Sequence, residues 1–193
     1  MKQITFIKVS IFTGILLLLI SISCNRQQPS NLRNQDFNQG WTFSITDAEV
    51  ALDPNFDDSS WKKVDLPHDW SIIDYEVQDS KHVGPFFRDQ LGGRDNGYLR
   101  TGTAWYRKSW KTPKGLKDKK VKIYFDGVQT QMELWVNGQK AGEHAYGYTP
   151  FFIDITPLLN KAGKNNILAV KTVNTGDNSR WLAGSGIYRD VKL

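Results

Sequence analysis

The chain has 193 residues, with 25 Lys and Arg against 20 Asp and Glu, a formal net charge of +5, and a single cysteine. One cysteine excludes an internal disulfide scaffold. The scattered basic residues argue against a polyanion partner, because the one dense run, Lys114 to Lys120, reads as a solvated turn between strands and not as a nucleic-acid patch.

The chain opens on "MKQITFIKVSIFTGILLLLISISC", a basic start (Lys2, Lys8), an apolar stretch from Val9 to Ile22, and small residues before Cys24. This is the pattern of a secretory signal, and the stretch is short for a membrane span; a retained anchor helix is the alternative. "LISISC" resembles the lipobox of bacterial lipoproteins, whose cysteine is acylated after cleavage, and departs from it at Ser21, where Leu is preferred. The resemblance implies a signal peptide over residues 1–23, Cys24 as a lipid anchor, and an exported protein of the cell envelope. The short acidic run that sends some lipoproteins to the cell surface is missing from "CNRQQPS", which favours the periplasmic side. Lys2 and Lys8 leave with such a leader and no acid does, so the charge drops by two from +5 to +3. An exported chain without disulfides must be stabilised by burial alone.

Residues 24–36 are polar, contain Pro29 and lack periodicity, the composition of a tether. A single domain is expected over 37–193, large enough to bury a core. Strands are expected at Gly40 to Ile45, Lys62 to Pro67, Ala104 to Lys111, Lys120 to Val128, Met132 to His144, Phe151 to Thr156, Asn166 to Asn174 and Ile187 to Leu193. In "KVKIYF", Val121, Ile123 and Phe125 alternate with Lys120, Lys122 and Tyr124, the period-2 pattern of a half-buried strand. Ile187, Arg189, Val191 and Leu193 likewise share one expected face. Asn137-Gly138 is a strong hairpin signal, since both residues tolerate the positive φ of a type I′ turn. Helical signals are confined to single turns at Asp53 to Trp61 and at Thr156 to Gly163, the latter with Thr156 as cap and Pro157 in the first helical position. Eight short strands at this spacing predict an all-β, jelly-roll β-sandwich.

Four segments in order, "KKVDLPHDWSI", "GTAWYRKSW", "IYFDGVQTQMELWVNGQKAGEHAYGYTPFFIDIT" and "NSRWLAGSGIYRDVKL", resemble the N-terminal sugar-binding domain of glycoside hydrolase family 2, which includes β-galactosidases, β-glucuronidases and β-mannosidases. The resemblance spans Phe37 to Leu193. It implies that the sandwich precedes an immunoglobulin-like domain and a (β/α)₈ barrel with two catalytic glutamates. A barrel needs on the order of 250 residues, so the sequence resembles the front of a longer enzyme acting on a β-linked glycan or galactoside. Retaining glycosidases hold two carboxyl groups about 5 Å apart, and nothing in this sequence brings two together by local spacing. Adjacent Asp57 and Asp58 diverge and are expected to finish a turn. The chain by itself is therefore expected to be inactive, with no catalytic residue, no metal and no cofactor; a stand-alone, membrane-anchored carbohydrate-binding module is the alternative.

Sugar contact is expected first in "DNSRWLAG", where Asp177, Asn178 and Arg180 offer polar groups for hydroxyls and Trp181 an aromatic face for the CH surface. The resemblance supports this loop, whose residues help wall the active site in β-galactosidases; interface packing by Arg180 and Trp181 is the competing role. A second candidate is the long connection Ile73 to Arg100, with Asp95 and Asn96 as candidates and an ordinary solvated loop as the alternative. His68 in "LPHDW" is expected to anchor a loop by hydrogen bonding and not to act as a base. His82 and His144 lack companions at metal-ligand spacing. "GGRDNG" is no phosphate loop, because strand and helix do not flank it. Trp41, Trp61, Trp105, Trp110, Trp135 and Phe151 are expected in core or interface packing, and Tyr146 and Tyr148 in an exposed loop.

Overall fold

The computed structural model describes residues 33–73, 81–89, 93–116, 118–175 and 184–193; the leader, Cys24 and the tether up to residue 32 lie outside the described residues. Residues 34–193 form one compact unit. Its strands are β1 (Trp41–Ile45), β2 (Lys62–Val64), β3 (His82–Val83), β4 (Phe86–Phe87), β5 (Gly102–Lys111), β6 (Lys122–Phe125), β7 (Gln131–Val136), β8 (Gln139–His144), β9 (Phe151–Asp154), β10 (Asn165–Asn174) and β11 (Val191–Lys192). They pair in the orders β2-β1-β5-β10-β7-β8 and β11-β6-β9, with β3-β4 as a separate hairpin. The unit is an all-β jelly-roll sandwich, as expected. Among the described residues no helix is long and apolar enough to cross a membrane.

Alternation places the core. In β6 and β7, Ile123, Phe125, Met132, Leu134 and Val136 turn inward, and they meet Trp41, Phe43, Tyr106, Leu168, Val170, Ile153 and Val191 from both sheets in one cluster. β5 is buried on both faces from Ala104 to Arg107, because a second layer covers the outside of the large sheet. There Ala51, Trp105 and Ala169 form a smaller cluster with Leu52, Trp61 and Trp135. Arg107 latches that layer down. Its guanidinium donates to the carbonyls of Ala51, of Asp53 at 3.1 Å and of Phe56 at 3.3 Å, and its Nε to Asp58 Oδ2 at 3.1 Å.

Several local expectations shift. The folded unit begins at Asn34, three residues before Phe37, because Gln35 and Leu193 exchange backbone hydrogen bonds of 2.8 and 2.9 Å and Asp36 bridges to Lys192. A 3-10 turn at Glu49–Leu52 precedes the Asp53 to Trp61 segment, which itself makes a hydrogen-bonded turn from Asp53, Phe56 N donating to Asp53 O at 3.1 Å, and no helix. Thr156 does not cap the turn Thr156–Leu158: Asp154 Oδ1 accepts the Thr156 N–H at 3.0 Å, and the Thr156 hydroxyl accepts from Val121 N at 2.8 Å. The last strand is short, since the chain bends at Arg189 and only Val191–Lys192 pair with β6. Ile187 and Val191 are buried, whereas Arg189 turns outward, 4.0 Å from Asp126. Asn137 (φ 53°) and Gly138 (φ 78°) make the expected hairpin turn between β7 and β8.

Candidate functional site

The described residues on either side of the Asp177–Trp181 stretch, Asn174 at the end of β10 and Gly184 to Ile187, are held by a polar clasp. Asn174, the last residue of β10, donates from Nδ2 to Gly184 O at 3.2 Å and to Ser185 Oγ at 2.9 Å. Thus the residues flanking that stretch are tied to each other. The segment "HDWS" binds the same stem from the other side: His68 N donates to Ile187 O at 2.8 Å and Trp70 N to Ser185 O at 3.1 Å. Asp69 is the node. Its Oδ1 accepts from Ser185 N at 2.9 Å, Ser71 N at 3.0 Å and Ser71 Oγ at 2.6 Å, an acceptor saturated by donors from both segments.

Beneath the clasp lies an aromatic floor. The Tyr106 hydroxyl, buried in the core, donates to His68 O at 3.2 Å, stands 3.0 Å from His68 Nδ1 and accepts from Ile187 N at 3.4 Å. His68 is 4 % exposed, so it serves as the loop anchor expected of it. Gly186, at φ 99°, lies so close to Tyr106, Trp70 and the His68 carbonyl that no side chain fits there. Gly184 is equally constrained, because a Cβ would strike the Asp69 carboxylate. Glycine is therefore required at both positions by the close approach of the two segments.

The second candidate connection reaches the same cluster. Ser185 Oγ donates to Arg100 O at 3.4 Å, and Arg100 lines a small cleft with Trp70, Ser71, Gly84, Pro85, Phe86 and Phe87. The β3-β4 hairpin continues through an Phe86–Leu99 bridge and a 2.6 Å bond from Phe87 N to Tyr98 O. The stems of both candidate loops thus leave one end of the sandwich side by side.

The structure treats the expected contact residues unequally. Asp177, Asn178, Arg180 and Trp181 lie outside the described residues, and Asp95 and Asn96 fall on a 3-10 turn, Gly93–Asn96, whose backbone alone is described there. Asp69, Asn174, Ser185 and Tyr106 were not singled out from sequence. Their signal was faint: "HDWS" offers an Asp two residues before a Ser, a local turn pattern, but its partner Ser185 is more than a hundred positions away. Among the described residues no group of three potential metal ligands comes together. His144 stacks on Phe151 at 4.0 Å and contacts Thr149 Oγ1 at 3.0 Å. Trp41 and Trp105 are fully buried, Trp61, Trp110 and Trp135 pack at the edges of the two clusters, and Tyr146 and Tyr148 are exposed.

Comparison with known proteins gives the clasp its context. The profile of the glycosyl hydrolases family 2 sugar binding domain matches residues 34–193. A β-galactosidase of Bacteroides ovatus is 40 % identical over 159 residues, covering 82 % of this chain and 17 % of that protein. A β-glucuronidase of Formosa agariphila is 36 % identical over 171 residues, covering 82 % of this chain and 16 % of its own length. The crystal structure of a glycosyl hydrolase family 2 member from Bacteroides cellulosilyticus superposes with a TM-score of 0.76 at 38 % identity, over 83 % of this chain and 20 % of the other. The chain therefore spans a fifth or less of the length of these relatives. With the profile running from the first residue of the folded unit to Leu193, this chain belongs to glycoside hydrolase family 2 through its sugar binding domain.

Proposed function

We propose that the chain is the N-terminal sugar-binding portion of an exported, lipid-anchored hydrolase of β-galactosidase type, and that it walls the substrate pocket from the sandwich side. The observation that supports this is the clasp: Asp69, Asn174 and Ser185 gather the stems of two polar loops at one end of the fold, where a rigid base can present side chains to a ligand. Asp177, Asn178 and Arg180 hydrogen-bond the hydroxyls of a β-linked galactoside, the Trp181 ring stacks on its CH face, and Asp95 and Asn96 approach from the second loop. The acid/base and the nucleophile of a retaining mechanism stand about 5 Å apart and come from two glutamates of a barrel that follows an immunoglobulin-like domain. This chain binds and orients; it does not itself break the glycosidic bond. Cys24 carries the lipid that holds the enzyme in the cell envelope.

The test is kinetic, on the full-length gene product with p-nitrophenyl β-galactoside and p-nitrophenyl β-glucuronide. The expected result is preferential turnover of the galactoside, with Arg180→Ala and Trp181→Ala each raising KM roughly tenfold. Unchanged KM in both variants would remove the loop from the pocket, and a preference for the glucuronide would reassign the sugar. A reading frame that closes at Leu193 would overturn the hydrolase reading altogether.

A further inference from the structure

The small sheet β11-β6-β9 turns one face to the core and carries on the other an unusual row. Lys192, Tyr124 and Phe152 are cross-strand neighbours on that outer face, and Phe152 is 66 % exposed. The Tyr124 and Phe152 rings pack 4.9 Å apart. The Tyr124 hydroxyl donates to Asp126 at 2.7 Å, Asp126 faces the Arg189 guanidinium at 4.0 Å, and that guanidinium lies 5.1 Å over the Tyr188 ring. Tyr188 in turn donates to the carbonyl of Gly147 at 2.9 Å, between Tyr146 and Tyr148, whose rings stand edge to face 5.7 Å apart and are 57 % and 51 % exposed. Aromatic surface thus runs along one side of the domain with the Asp126–Arg189 ion pair at its middle and Lys192 at its edge. Gly127 makes room for it, because a Cβ there would sit 3.0 Å from both the Tyr188 ring and the Arg189 side chain.

We infer that this surface is a platform for a neutral β-linked oligosaccharide. Among the described residues the large exposed apolar groups on it are aromatic, while the exposed aliphatic side chains Ile45, Val50, Ile72 and Val83 belong to other elements. Protein interfaces also favour aromatic rings and Arg, but their cores are depleted of Asp, and here Asp126 sits at the centre. A pyranose asks for the arrangement present: flat rings for its CH face, and bidentate polar groups for adjacent hydroxyls. Asp126 and Arg189 cancel each other's charge and are both about two-fifths exposed, at 40 % and 43 %, so they can still be reached. The phenol protons are already committed, that of Tyr124 to Asp126 and that of Tyr188 to the Gly147 carbonyl, so these two rings offer faces and acceptor lone pairs while the Arg189 guanidinium is the donor. The Asp126–Arg189 pair leaves the centre without net charge, suited to a neutral chain, while Lys192 and Lys122 stand at its edges. The contacts among these side chains hold the rings in place before any ligand arrives, which lowers the entropic cost of binding.

The experiment is calorimetric titration of the protein with galactotetraose, cellotetraose and trigalacturonate, alongside Phe152→Ala, Tyr148→Ala and, as a control on the other side of the fold, Val50→Ala. The expected result is binding of at least one neutral tetrasaccharide, weakened about tenfold by each aromatic substitution and unchanged by the control. All three side chains are exposed, so the variants keep the fold, which thermal unfolding checks. Absence of neutral-sugar binding, equal affinity in the aromatic variants, or stronger binding of trigalacturonate would each overturn the platform. So would self-association in sedimentation that Phe152→Ala abolishes, because the rings would then be covered by a second copy. Loss of sugar binding at this platform leaves KM of Arg180 and Trp181 variants untouched, so its failure and that of the pocket are read separately.

Discussion

Arg107 is a charged side chain only 1 % exposed, and every direction of its fork meets an acceptor. Three of those acceptors are backbone carbonyls of the segment covering the large sheet, so the residue exchanges its own desolvation for closure of that layer. Asp58 supplies the opposite charge and also accepts the Thr42 hydroxyl at 2.7 Å. Asp58→Ala therefore leaves a buried cation without its counter-charge and is expected to cost about 3 kcal/mol, whereas Asp58→Asn, which keeps an acceptor, costs less. Urea midpoints of the two variants check this; equal, negligible losses would show that the carbonyls alone satisfy Arg107. The "DD" pair was legible from sequence only as a turn. Asp57 does make that turn, accepting from Ser59 N at 3.0 Å, but the partner of Asp58 lies on β5, 49 positions away.

At the scale of the element, short strands depend on how they are ended. β9 stops at Asp154, whose carboxylate takes the Thr156 hydroxyl and N–H and is held below its ordinary 3.8 by those donors. A depressed carboxyl pKa means that the folded chain binds fewer protons than the unfolded one just below pH 4. The stabilising contribution is complete above the ordinary value and is lost as pH falls through the lower folded value. Asp154→Asn is expected to lower Tm slightly near neutrality and to converge with wild type well below about pH 4, which flattens the acid limb of a plot of Tm against pH. An acid limb identical to wild type would remove Asp154 from acid unfolding. The β7-β8 hairpin shows the opposite case, where local chemistry suffices. Asn137 also ties the turn to the rest of the fold, donating from Nδ2 to Leu158 O at 2.9 Å and accepting from Ile167 N at 3.0 Å.

Across the whole folded unit, the two ends close one sheet edge together. Gln35 and Leu193 exchange two backbone bonds, Phe37 N donates to Val191 O at 3.0 Å, and Val191 is fully buried beside Phe125 on β6. Deleting residues 190–193 removes these bonds and a core side chain at once. At about 1 kcal/mol per bond and about 2 for the valine, the truncated protein is expected to melt at least roughly 10 °C lower. Coincident circular dichroism and tryptophan fluorescence transitions in the intact protein provide the baseline. A truncated protein with unchanged Tm would show that the edge is an ornament and not part of the cooperative unit.

The sandwich class, most strand positions, the hairpin at Asn137-Gly138 and the family were all readable in the sequence, because alternation, turn chemistry and ordered motifs are local and survive without neighbours. The tertiary structure decided what depends on distant partners. It moved the start of the folded unit to Asn34, broke the last strand at Arg189, and made Asp69, Asn174 and Ser185 a clasp beneath the candidate loops. It also gathered Tyr124, Phe152, Tyr188, Tyr146 and Tyr148 onto one face. Each of these rests on a hydrogen bond or ring contact between segments that only folding brings together, and one-dimensional periodicity carries no term for such a contact.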